Sequence, residues 1–277
     1  MKAVSPNRAG QKSPRKPPRL GKLLPPGQHG GPAAAPAEQS LATRQRIASA
    51  LKCLRSLHDG DHGVLEAIGI GLVIVPDLAK LLFAREPCGL FQPRSRAVEA
   101  LAALRAFDVL ASFLQSLRRA DDPVERLGDD VVASAAGRAI AQLREAWVSD
   151  LLIEFARHRP LQGVLVGLGS FLRLDALPLF IGALAEDELR LTAQASLRRY
   201  GAVARSDLVA TALESPFPPG KESESHLRKR RAALSVLIDL SITSKFRDRL
   251  RGIIRDPDPV IAHLAREVCA ASGRKRD

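Results

Sequence analysis

The stretch that decides the fold reads ALAALRAFDVLASFLQSL over residues 100–117 and recurs, 67 residues later, as GLGSFLRLDALPLFIGAL over residues 167–184. Large apolar residues occupy the same six places in both copies. They are Leu104, Phe107, Leu110, Phe113, Leu114 and Leu117 in the first copy and Phe171, Leu174, Leu177, Phe180, Ile181 and Leu184 in the second. Spacings of three and four residues predict a helix, a turn and a second helix, each with one buried face.

A shorter motif marks the same repeat along most of the chain. A small residue is followed by a large apolar residue at the next position and by another at the fourth. The small residue lets two helix backbones approach closely, and the large residues fill the space beside it. The small residues are Ala50, Ala100, Ala139, Gly167, Ser196, Ala233 and, in a degraded copy, Ala265. The mean step is about 36 residues, which is typical of two-helix solenoid repeats.

Proline-containing breaks separate the apolar blocks, as at residues 121–123, 159–160, 216–220 and 256–259. Each break supplies a capping oxygen or a chain that cannot continue the preceding helix. Alternation with a period of two residues is scarce. The sequence therefore predicts an all-α fold, a right-handed α-solenoid of about six to seven helix pairs. The alternative is an irregular helical bundle.

Two segments resemble the HEAT-repeat family, especially its short bacterial HEAT-like form. Asp-Pro-Asp-Pro-Val at residues 256–260, followed by Ala262 and Ala265, looks like that family's loop-to-first-helix signature. Arg96-Ala97 leading into Ala100-Leu101 looks similar. The resemblance implies a HEAT-like superhelix of antiparallel helix pairs with a concave face that binds a partner. It specifies architecture and carries no reaction with it.

Composition divides the chain into three parts. Residues 1–37 contain 8 of the 19 prolines and no acidic residue, which predicts a disordered basic tail. Residues 38–273 form the predicted HEAT-like repeat array, and residues 274–277 form a basic C-terminal end. The array is long enough to bury a continuous core without disulfides.

The net charge of +12 is concentrated at the tail and at residues 226–255, where nine basic side chains face only two acidic ones. These basic residues are candidates for binding nucleic acid or an acidic partner: Arg228, Lys229, Arg230, Arg231, Lys245, Arg247, Arg249, Arg251 and Arg255. If about five phosphates were neutralised, the logarithm of the affinity for duplex DNA would fall against log salt with a slope of about −4.5. The alternative is a solvated face that binds nothing.

The leading functional hypothesis is a non-enzymatic scaffold or adaptor that binds another protein, with the oligomeric state left open. The apolar run Gly69–Val75 is too short to span a bilayer, so no membrane partner is predicted. The widely spaced Cys53, Cys88 and Cys269 indicate reduced thiols in a cytoplasmic protein. We predict no cofactor and no metal, because His58–His62 is better explained as a turn than as a ligand set.

An enzymatic alternative depends on Trp147 and Asp150. The HEAT-like family includes alkylpurine DNA glycosylases, which hold damaged DNA between aromatic residues near a catalytic Asp. Here Asp150 follows Trp147 by three positions rather than the expected four, and there is no second tryptophan. We therefore favour the interpretation that Trp147 packs between repeats and that Asp150 is solvated. Gly69-Ile70-Gly71 lies inside an apolar run, which indicates close helix packing rather than a phosphate-binding loop.

Overall fold

The computed structural model describes residues 40–85, 91–214 and 222–271, which form fourteen α-helices and no strand. The helices are α1 (Leu41–Arg55), α2 (Gly60–Ile70), α3 (Val75–Phe83), α4 (Gln92–Ala103), α5 (Phe107–Ser116), α6 (Pro123–Ile140), α7 (Ala146–His158), α8 (Gln162–Gly169), α9 (Leu177–Ala183), α10 (Asp187–Tyr200), α11 (Arg205–Ala212), α12 (Glu224–Asp239), α13 (Ser244–Leu250) and α14 (Pro259–Ala271). The all-α prediction is confirmed. The predicted N-terminal tail and the basic C-terminal end lie outside the described residues.

The helices form two layers. The even layer runs α2, α4, α6, α8, α10, α12 and α14, and each of these helices packs against the next. In the odd layer α3, α5 and α7 pack in succession, as do α9, α11 and α13. Each odd helix packs against the even helix that follows it, and α1 packs against α2 and α4. The extensive contacts therefore join only neighbouring pairs, which defines an α-solenoid rather than an irregular bundle.

The small residues of the motif lie at the helix crossings. Apart from Ala50 on α1, every copy falls on a helix of the even layer, and all seven small residues are buried. The closest crossing joins α6 to α8, where the Gly163 amide donates to the Ser134 hydroxyl at 2.7 Å. A Cβ atom on Gly167 would lie 2.6 Å from the carbonyl oxygen of Gly137. The prediction that small residues permit close backbone approach is confirmed at this crossing.

Four helix ends have a positive φ that the motif did not predict, although Gly201 (ψ −125°) differs in ψ from the left-handed Arg144 (ψ 20°). Arg105 (φ 59°), Arg144 (φ 56°), Leu172 (φ 53°) and Gly201 (φ 60°) each follow directly the second large apolar residue of a motif copy. A left-handed residue is a common way to end an α-helix. The turn that follows sends the chain into the next odd helix. Arg105 and Leu172 are also 67 residues apart, so the backbone repeats with the sequence.

The close-packing interpretation of Gly69-Ile70-Gly71 is wrong. A Cβ atom on Gly69 would meet no atom within 4 Å. Gly71 has φ 83° and follows the last residue of α2, so its place in the sequence is explained by backbone conformation. Among the described residues, no helix is long and apolar enough to cross a membrane.

Candidate functional site

The basic side chains at residues 228–231 on α12 form ion pairs with carboxylates of the same chain. Arg228 forms an ion pair with Asp187 at the start of α10, at 2.9 Å. Lys229 binds Glu214, after α11, at 2.9 Å. These contacts tie α12 to α10 of the preceding helix pair and to the end of α11, its own partner, and they leave both side chains only partly exposed.

Arg230 is the centre of this network, with only 4% of the residue exposed. Its Nε donates to the carbonyl oxygen of Ala212 at 3.1 Å, which satisfies the C-terminal end of α11. One terminal nitrogen donates to both oxygens of Glu222 at 2.9 Å, and the other binds Asp256. Burial alone would lower the pKa of Arg230, but hydrogen bonds to Asp256 and Glu222 outweigh it and raise that pKa.

Arg231 joins α12 to the start of α14. It binds Asp258, whose Oδ1 also accepts the Ile261 amide at 2.8 Å and so caps α14. The hydrogen bond from Arg231 is the main reason that the pKa of Asp258 lies below its ordinary value, despite partial burial. The four α12 cations thus hold neighbouring helix pairs together, and little of their charge is free for a partner.

A second buried arginine repeats the Arg230 arrangement, and sequence reasoning missed it. Arg94 on α4 donates from Nε to the carbonyl oxygen of Leu82 at 2.9 Å, at the end of α3. Its Nη1 binds Asp129 of α6 at 2.8 Å, and Arg85 binds the other oxygen of Asp129 at the same distance. In both places an arginine of the even layer donates a hydrogen bond to a carbonyl oxygen in the last turn of the preceding odd helix. The same arginine binds a carboxylate that belongs to the next helix pair. The only sequence signal was an arginine at the start of a helix.

The cations of α13 and the 3-10 turn after it are arranged differently. Lys245, Arg247, Arg249 and Arg255 form no ion pair with any other described residue. Arg251 pairs with Asp248 at 3.3 Å, and both of these side chains are largely exposed. Nucleic-acid or acidic-partner binding by the nine predicted cations remains a prediction. The structure divides them into a neutralised α12 group and a largely free α13 group.

A shallow groove of about 300 Å³ lies between α8 and α10 on the even layer. Val166 and Leu191, which are 43% and 75% exposed, line it. The other lining residues are Thr192, Ala195, Ser196 and Arg199. Arg199 forms no ion pair with another described residue. The groove therefore combines aliphatic surface with one available positive charge.

A second set of exposed aliphatic side chains lies on α6. Val124, Leu127 and Val131, spaced by three and four residues, are exposed on one side of that helix. Arg138 lies on the same side, two turns beyond Val131, and is exposed without an ion-pair partner among the described residues. Three successive even-layer helices thus present aliphatic side chains with a nearby arginine. Sequence reasoning did not predict this surface.

Trp147 and Asp150, on which the glycosylase hypothesis depends, both form contacts within the chain. Trp147 is half-buried against the core, and its Nε1 donates to the carboxylate of Glu145. Asp150 forms an ion pair with Arg173 at 3.0 Å, and Arg173 also binds Asp175 at 2.7 Å. The packing of Trp147 and the exposure of Asp150 agree with the interpretation that we favour, whereas the ion pair of Asp150 with Arg173 was not predicted. Base release by Asp150 stays untested.

His58 and Asp59 lie in the turn between α1 and α2, whereas Gly60, Asp61 and His62 form the first turn of α2, so the predicted turn covers only part of this segment. Across residues 40–85, 91–214 and 222–271 there is no group of three or more His, Cys, Asp or Glu residues that could hold a metal ion. Cys53 and Cys269 are free thiols, and Cys88 lies outside the described residues. A cytoplasmic location remains a prediction.

The distant structural neighbours of this chain include the two proteins that follow. Human deoxyhypusine hydroxylase, in complex with glycerol, shares 12% identity over 85% of this chain and 99% of its own, with a TM-score of 0.36. The CpcE and CpcF complex of phycocyanin lyase from Nostoc sp. PCC7120 shares 18% identity over 90% of this chain and 99% of that chain, with a TM-score of 0.38. At these scores neither likeness carries a function to this chain.

No protein-family profile matches the chain, and no curated protein matches it. Membership of the HEAT-repeat family therefore stays a prediction. The class of protein that the packing itself defines is a helical repeat protein.

Proposed function

We propose that the chain is a non-enzymatic scaffold that holds another protein on the face of its even layer. The observation that carries the proposal is the exposure of Leu191. Leu189, two residues earlier on the same helix, is only 8% exposed, whereas Leu191 is 75% exposed beside Val166. Burial of one such aliphatic side chain by a partner stabilises a complex by about 1.5–3 kcal/mol.

The chemistry of the groove specifies the kind of partner. Val166, Leu191 and Ala195 accept an apolar side chain, and Arg199 is placed to receive a carboxylate. The occupant we propose is therefore a segment of another protein that presents an aliphatic or aromatic residue next to Asp or Glu. Because α8 and α10 hold these residues in fixed positions, binding orders few side chains of the scaffold.

The test compares two exposed leucines on opposite layers. Leu191→Glu removes the apolar contact and places a negative charge in the groove, while Leu174→Glu makes the same change at a 63% exposed residue before α9. We expect quantitative capture to identify proteins lost with Leu191→Glu and retained with Leu174→Glu. A purified protein of that set should bind the Leu191→Glu variant at least tenfold more weakly in a calorimetric titration.

Salt provides a second criterion. An interface centred on aliphatic contacts should tolerate a rise in sodium chloride that removes purely electrostatic partners. The proposal is overturned if every captured protein binds the two variants equally.

A further inference from the structure

We propose that the α13 surface, defined as Lys245, Arg247, Arg249, Arg251 and Arg255, binds the phosphate backbone of double-stranded nucleic acid without reading its sequence. This inference does not depend on the protein-binding groove. It uses the opposite layer and a different kind of contact. Its starting point is the division of the predicted cations into a neutralised group and a free group.

The α13 surface is an abrupt change of charge within its layer. The five odd helices from α3 to α11 carry three basic and five acidic side chains in total, whereas α1, at the other end of the array, carries four basic and no acidic side chain. Residues 244–255 carry five basic side chains and one acidic side chain, Asp248. Asp248 is engaged by Arg251 at 3.3 Å, so it does not compensate the other four. A local excess of unpaired positive charge attracts a polyanion.

The large apolar residues of the segment are buried or partly buried. Leu250 is fully buried, and Phe246 and Ile253 pack against the core. No large hydrophobic residue between 244 and 255 is exposed. A protein interface normally has an apolar, desolvated centre, and membrane insertion needs an exposed apolar face. Neither is present on the α13 surface.

The composition of the surface favours duplex phosphates over single strands. Four of its five cations are arginines, whose planar guanidinium groups bind phosphate through paired hydrogen bonds. No aromatic side chain is exposed there, so bases have nothing on which to stack. The exposed Thr243 and Ser244 at the start of α13 add hydroxyl donors of the kind that position a protein on the backbone.

The structure also changes the expected salt dependence. Four cations of the surface lack an intramolecular ion pair within the described part of the chain. At about −0.9 per neutralised phosphate, they account for a slope of about −3.6 in log affinity against log salt. Arg228, Lys229, Arg230 and Arg231 should contribute little, because their carboxylate partners already neutralise them.

The experiment uses the full chain and a fluorescent 20-base-pair DNA duplex, with anisotropy recorded across a range of sodium chloride. The test variant combines Lys245→Gln, Arg249→Gln and Arg255→Gln, which are all exposed. The control combines Arg44→Gln, Arg46→Gln and Arg138→Gln, which are exposed arginines without ion pairs among the described residues and which give the same net charge. Equal melting temperatures of the three proteins establish that the variants fold.

The proposal predicts that the test variant flattens the slope by about 2.7, since three phosphate contacts are lost, and that the control keeps the wild-type slope. Two duplexes of unrelated sequence should bind wild type equally well. The proposal is overturned by equal effects of the two variants, by no retention of DNA or RNA duplex at low salt, or by α13-dependent binding that occurs only with anionic lipid vesicles or an acidic peptide.

Discussion

At the scale of single residues, the strongest departure from ordinary conformation lies at the helix ends. Arg105, Arg144 and Leu172 adopt the left-handed region, in which a side chain costs roughly 1–2 kcal/mol per residue. The fourth equivalent place, Gly201, has the residue that avoids this cost. Arg144 recovers part of the cost because it donates to the Ser170 carbonyl at 2.9 Å and lies over the ring of Phe171.

Arg105 is the clean test of this strain, because it is exposed and no side-chain contact of it is evident. Arg105→Gly relieves the strain but gives the unfolded chain more freedom, so we expect a net gain of about 0.5–1 kcal/mol in the free energy of unfolding. Arg105→Val should lose stability, because a β-branched residue tolerates this conformation poorly. Urea denaturation measures both changes.

The control is Ser112→Gly, at an exposed position inside α5 with ordinary helical geometry. It should lower the free energy of unfolding by roughly 0.5–1 kcal/mol. If Arg105→Gly destabilised the protein as much as the control does, the left-handed helix end would be wrong.

At the scale of secondary-structure elements, ion pairs between helix pairs supplement the apolar packing. The Asp258 carboxylate both caps α14 and binds Arg231 of α12. Its pKa is lower in the folded protein than in the unfolded chain, so the folded state binds fewer protons at acid pH. The stability that it contributes is complete above the unfolded pKa, near 3.8, and is lost as pH falls through the lower folded value.

We therefore expect Asp258→Asn to be less stable than wild type at pH 6 and to lose less stability between pH 4.5 and pH 3. Urea midpoints across that range measure the difference. Asp108→Asn, at an exposed carboxylate of α5 without an ion pair in the described structure, should keep the wild-type pH dependence. If the urea midpoint of Asp258→Asn changed with pH in parallel with that of wild type, the ion pair that joins α12 to α14 would be contradicted.

The same scale explains what could be predicted from the sequence. The helix pairs follow from local spacing, because the positions equivalent to Ala100, Leu101 and Leu104 are buried or partly buried in the first six repeat copies. The ion pairs do not follow, since Arg228 reaches Asp187 across 41 residues and many carboxylates were equally available in sequence. The helical period does separate Leu189 from Leu191, because Leu189 lies four and seven residues before the buried Ala193 and Ser196, whereas Leu191 lies on the opposite side of α10.

At the scale of the whole repeat array, the two layers separate two kinds of surface. The even layer presents aliphatic side chains on α6, α8 and α10, and the odd helices are strongly basic at α1 and at α13 but not between them. Because extensive contacts join only neighbouring helix pairs, each surface is built from side chains that adjacent repeats hold in place. Composition alone located the basic segment, but it could not show that the cations of α12 form ion pairs with carboxylates of the same chain.

The central claim is that the even-layer helices are stacked in chain order, and distances between spin labels test it most directly. With the three native cysteines replaced, one label is placed at Glu99 on α4 and the second at Leu191 on α10 or at Glu267 on α14. At about 9 Å per neighbouring helix, three steps give roughly 27 Å and five steps roughly 45 Å, slightly less if the stack curves. For helices stacked in chain order, we predict that the distance from Glu99 to Glu267 clearly exceeds the distance from Glu99 to Leu191. Two similar distances near roughly 25 Å, as expected within a compact domain of this size, would contradict it.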